Sequence, residues 1–76
     1  MESARQIAER FLDAEVRRGF DFPVVIVDDA VTVEEDSYVF PYDGKGYVEV
    51  DDWRQAMVGN LPVMVDRRTG RARFSS

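Results

Sequence analysis

Between Ser3 and Gly19 the apolar residues Ile7, Ala8, Phe11, Leu12 and Ala14 recur at helical spacing, and no later segment repeats that pattern. This feature constrains the fold more than any other. An amphipathic helix two to three turns long must bury its stripe, and everything downstream offers only short β-type runs to bury it against. The expected fold class is α+β: an N-terminal α-helix packed on a small antiparallel β-sheet of three to five strands. Ser3 can cap the helix, Gln6 completes a capping box, and Gly19 is the expected stop. Arg5 with Glu9 and Asp13 with Arg17 are i,i+4 pairs on the wet side, while Arg17 and Arg18 suit the negative end of the helix dipole.

The texture changes after "GFDFP". The run "VVIV", residues 24–27, is β-branched throughout, and "AVTVEE" alternates Val31 and Val33 with polar neighbours. Asp28 and Asp29 between them form either a bulge in one long strand, the preferred reading, or a turn between two. In "SYVFPY" a strand would place Tyr38, Phe40 and Tyr42 on one face, with Pro41 marking an edge or a strand end. The two glycines of "DGKG", residues 43–46, predict a turn with positive φ angles, and "YVEV" predicts a further strand. "DDWRQAMVGN" offers Asp51 or Asp52 as the cap of a short helical segment that stops at Gly59-Asn60. "LPVMV" and "RARF" are strands around "DRRTG", which reads as a type I turn with a glycine bulge.

Chemistry is sparse along this pattern. The 76 residues make one domain, 1–76, with no linker or repeat. There is no cysteine and no histidine, so thiolate metal sites, disulfides and the commonest general base are absent. The glycines of "GNLPVMVDRRTG" precede strands, whereas a phosphate-gripping loop needs glycines that open a helix. Ser3 serves as a cap, which leaves no convincing nucleophile. No catalytic residue, no cofactor site and no metal site is expected. The acid clusters at 28–29, 34–36 and 51–52 lack the alternating ligand spacing of a calcium loop. No apolar run reaches the roughly 20 residues of a membrane span, and the first ten residues carry charges where a signal core would be apolar. A soluble, cytoplasmic protein is expected.

The net charge of −5 is unevenly placed. Residues 1–20 balance at zero, residues 21–52 carry ten acids against Lys45, and residues 53–76 carry five arginines against Asp66. The acidic middle repels nucleic acid and anionic membrane and suits a cationic protein partner; equally, it is a solvated surface that keeps a small domain monomeric. Arg67, Arg68, Arg71 and Arg73 fit internal pairing with acids on a neighbouring strand better than a nucleic-acid stripe, since no aromatics interleave with them. The Tyr38, Phe40, Tyr42 face is core under the helix, or a rim of tyrosines beside an acidic surface that anchors a partner.

The capped helix, the valine-rich strand, the aromatic "YVFPY", the tryptophan segment and "GNLPVMVDRRTG" come in an order that resembles the YrhB-like family, also called the immunity protein 35 family, of small bacterial proteins. The resemblance covers nearly the whole chain. It rests on Gly59, Asn60, Pro62, Val63, Val65, Asp66 and Gly70, and on Tyr38, Phe40 and Tyr42, with Tyr38 standing where members often carry tryptophan. It implies a non-enzymatic role: an immunity protein that binds and neutralises a cognate toxin, or, in one branch, a small chaperone-like protein. Joined to the charge pattern, it makes the partner a protein, a basic toxin domain, met by the acidic segment of a monomer or weak homodimer. The candidate partner-binding residues are Asp28, Asp29, Glu34, Glu35, Asp36, Asp43, Glu49, Asp51 and Asp52, with Tyr38 and Tyr42 as anchors.

Overall fold

The computed structural model describes residues 3–75. Helix α1 spans Ala4–Glu15 and begins in the expected capping box: Ser3 Oγ accepts the Gln6 N–H at 3.1 Å, and Gln6 Oε1 accepts the Ser3 N–H at 2.8 Å. Its end differs from the expected stop. The α-helix closes at Glu15, and Arg17–Gly19 tightens into a single 3₁₀ turn. The Arg17 guanidinium at this turn folds back onto the helix instead of extending to solvent. It donates to Glu9 Oε1 at 2.6 Å, to Asp13 Oδ1 at 2.9 Å and to the Glu9 carbonyl at 3.2 Å. Two further bonds, 2.9 and 2.7 Å long, reach the Val24 carbonyl and tie the helix end to the first strand. Burial opposes the charge on Arg17, but the carboxylates of Glu9 and Asp13 outweigh it and hold its pKa above the usual value.

Six short strands follow: β1 Val24–Ile26, β2 Thr32–Val33, β3 Ser37–Phe40, β4 Tyr42–Gly44, β5 Val63–Asp66 and β6 Ala72–Phe74. All pairings are antiparallel, in a four-stranded sheet of order β2-β3-β5-β6 and a two-stranded sheet β1-β4. The α+β class with a helix on antiparallel strands therefore stands. Two details change. Asp28–Ala30 forms a 3₁₀ turn between two strands, not the preferred bulge in one. And "SYVFPY" is two strands, because Pro41 has no N–H to continue the ladder. The two interruptions face each other. Val27 donates to the Pro41 carbonyl at 2.9 Å, and residues 27–31 stand opposite residues 40–41, so a long bent hairpin passes from one sheet to the other.

The helix lies on the four-stranded sheet. Cross-strand rows Tyr38–Val65–Ala72 and Phe40–Val63–Phe74 face it, and Ala8, Leu12 and Val16 descend onto them. Leu12, Val63 and Val65 are fully buried, and Phe11 meets Phe74 edge-to-face with centroids 4.9 Å apart. Val24, Ile26, Tyr42 and Met57 close the core from the two-stranded side.

The segment after β4 departs furthest from expectation. "YVEV" is not a strand. It lies in a six-residue helix, α2, Lys45–Val50, which buries none of its residues. The glycines are there for proximity, not for positive φ. Gly44 sits at φ −62°, and a Cβ on it would lie 2.8 Å from Gln55 Cβ and closer still to that residue's carbonyl oxygen. The positive φ belongs to Asp51, at 55°, which turns the chain so that the N–H groups of Asp51 and Asp52 return to the carbonyls of Tyr47 and Gly46. Asp52 then caps a 3₁₀ turn over Trp53–Gln55.

Candidate protein-binding surface

The last hairpin is structural, as its turn chemistry predicts. Asp66 Oδ1 accepts the N–H groups of Arg68 and Thr69 at 2.7 and 2.9 Å, and the Gly70 N–H donates to the Asp66 carbonyl at 3.0 Å with φ +75° at the glycine. Those backbone bonds hold the Asp66 carboxyl below its usual range. Asn60 Nδ2 donates to the Tyr42 carbonyl at 2.8 Å and fastens the preceding loop.

The eleven candidate partner-binding residues do not form one continuous face. Asp28 is ion-paired with Arg5, with Asp29 beside it on the 3₁₀ turn. Both help line a surface groove with Glu9, Arg5, Val48 and Glu49. Glu34, Glu35 and Asp36 occupy the exposed β2–β3 turn, where arginines have drawn close. The Arg67 N–H donates to the Asp36 carbonyl at 2.9 Å, its guanidinium reaches the Glu35 carbonyl at 3.4 Å, and the same group lies 5.6 Å from the Tyr38 ring centroid. Among the described residues Arg67, Arg68, Arg71 and Arg73 make no ion pair within 4.0 Å, so their expected internal pairing with strand acids is not made through side chains. The charges of Arg67 and Arg68 still lie beside Glu35 and Asp36 of this turn.

Tyr38 is half-buried against the core. Tyr42 is buried at 6% exposure, and burial pushes its hydroxyl pKa up, partly offset by Asn60. Asp43 points inward: its Oδ1 accepts the Gly44 N–H at 2.9 Å and the Met57 N–H at 2.7 Å. Tyr42 and Asp43 thus serve the scaffold. Asp52 is tied to Arg54 by a 3.0 Å bond, and that guanidinium holds its carboxyl below the usual value. Glu49 and Asp51 are exposed and make no ion pair among the described residues.

Sequence reasoning missed the hydrophobic part of this region. Six of the nine large hydrophobic residues exposed among those described fall between positions 47 and 61: Tyr47, Val48, Val50, Trp53, Val58 and Leu61. Reading "YVEV" as a strand hid the exposure of Tyr47, Val48 and Val50 on helix α2. The available signal was negative: residues 45–61 show no sustained helical stripe to match the helix that contains their first six residues.

Among the described residues no group of three or more acids is placed to hold a metal ion, and no helix is long and apolar enough to cross a membrane. A family model described as Immunity protein 35 matches residues 2–76, and the chain belongs to that family. No curated protein and no solved structure gives a significant match.

Proposed function

We propose that this chain is a non-enzymatic immunity-type protein of the cytoplasm that binds and neutralises a cognate toxin by covering a basic surface on it. The observation that carries the reading is the family match over essentially the whole chain. The charge distribution supports the mode of binding. Asp29, Glu49 and Asp51 are exposed and make no ion pair among the described residues, and Glu34, Glu35 and Asp36 crown an exposed turn. Acids so placed accelerate encounter with a cationic partner and orient it. The binding residues in this reading are Asp28, Asp29, Glu34, Glu35, Asp36, Tyr38, Glu49, Asp51 and Asp52. Tyr42 and Asp43 support them from within.

The test is co-expression with the polypeptide encoded by the neighbouring reading frame. Protection of the host, together with a complex of fixed stoichiometry, is expected. Reversing Glu34, Glu35 and Asp36 together should slow association and flatten its dependence on salt. Absence of both protection and complex rejects the reading. A chaperone-like role has one observation in its favour, the exposed hydrophobic residues of 47–61, and it predicts suppression of client aggregation with no defined complex.

A further inference from the structure

We infer that residues 47–61 are the anchoring surface of the chain, with Trp53 entering an apolar recess on the partner and Glu49 and Asp51 meeting the lysines or arginines around that recess. The inference rests on the protein-binding reading above and names the surface that reading leaves open.

Three observations converge. The first is exposure. Trp53 is 77% exposed, Val50 75% and Val58 96%, the three highest values among the exposed large hydrophobic residues described. Tryptophan is the residue most costly to leave in water and most enriched among residues that dominate interfaces.

The second is rigidity of the backbone beneath. The segment is fixed to the body by polar bonds and by buried Met57, which leave most of its other apolar side chains outward. Met57 donates to Asp43 Oδ1, Asn60 donates to the Tyr42 carbonyl, and Gly44 of β4 passes against Gln55, while within 45–61 itself Gly46 donates to Gln55 Oε1 at 2.8 Å. A fixed backbone lowers the ordering entropy lost on binding.

The third is charge. Glu49 and Asp51 flank Val50 and make no ion pair among the described residues, whereas Asp52 is neutralised by Arg54. That rim selects a cationic protein surface. It disfavours a second copy of this chain, because a twofold contact would bring Glu49 and Asp51 toward their own equivalents on a protein of net charge −5.

The chain supplies its own reporter, since Trp53 is its one tryptophan. The probe is the C-terminal domain of the polypeptide encoded by the neighbouring reading frame, titrated into this protein and, in parallel, into Trp53→Phe. Trp53 emission should move to shorter wavelength as the complex forms. Trp53→Ala should weaken binding at least about 30-fold, the effect of losing an interface anchor. Glu49→Gln with Asp51→Asn should slow association several-fold at low salt and leave dissociation nearly unchanged. A complex that forms with unchanged emission, and that Trp53→Ala joins at full affinity, overturns the surface and spares the binding reading. No complex and no protection overturn both. An emission shift produced by raising this protein's concentration alone, with dimers in sedimentation, assigns the surface to self-association and overturns the cationic partner.

Discussion

The β5–β6 hairpin and the 45–61 segment are neighbours in the chain and opposites in design. In the hairpin, Val63 and Val65 face the helix and are fully buried, while Asp66 satisfies the turn from inside the turn. In 45–61 the Met57 N–H and the Asn60 amide reach out of the segment to Asp43 and the Tyr42 carbonyl, Met57 enters the core, and most of the other hydrophobic side chains are left in solvent. Both are well anchored, but only the hairpin is anchored chiefly by burying apolar groups, whereas 45–61 commits Met57 alone to the buried core. A segment fixed through backbone bonds and close glycine packing is free to present side chains that add nothing to the core. Such side chains are available for a partner.

The contrast can be broken at several points. The largest effect should come from Leu12→Ala, which opens a cavity between the helix and the Val63 and Val65 rows. It should cost about 2–5 kcal/mol in chemical denaturation, enough to unfold a domain of this size. Gly44→Ala comes next. The added methyl must displace the Gln55 backbone, so about 1–3 kcal/mol is expected, and exchange of the Gly46 amide should accelerate along with it. A marginal change at Gly44 would show that 45–61 is not held where the structure holds it.

Asp66 sharpens the other side of the comparison through pH. Its folded pKa lies below the ordinary value of 3.8, so its stabilisation is complete above that value and is lost as pH falls through the depressed folded value. Thermal melts of the native chain should therefore lose stability on acidification, and Asp66→Ala should start less stable and fall less steeply over the same window. A smaller effect of opposite sign is expected from Asp51→Gly. It relieves a left-handed residue and should raise stability by up to about 1 kcal/mol while removing one charge from the proposed rim. The smallest effect on stability is Trp53→Ala, within about 0.5 kcal/mol in the same denaturation experiment. A large loss there would place Trp53 in the scaffold and erase the distinction between the two regions.

How much was legible depended on whether local chemistry acted alone. The capping box at Ser3 and Gln6 and the Asp66–Gly70 turn involve residues at most four apart, and both formed as the sequence pattern predicts. Pro41 was correctly marked as a strand end, but nothing local says that the two halves join different sheets. "YVEV" carries the residue types of a strand but lies in helix α2, where the Gly46 amide just before it is met by Gln55, nine residues on. The acidic segment is continuous in the chain and divided in space. Arg5 takes Asp28, Arg54 takes Asp52, the β2–β3 turn lies beside Arg67, and Asp43 turns inward. A charge tally along the chain cannot register pairings that folding creates.

The linear order of residues determined the helix, its apolar stripe, the need for an antiparallel sheet to cover it, and the hairpin turns, since each arises from contacts over a few positions or from burial any fold must achieve. Tertiary structure alone decided which carboxylates stay unpaired, where the strands change sheets, and that Trp53 faces water. Those outcomes depend on which distant groups meet, and that is set when the helix seats on the sheet and the chain closes around it.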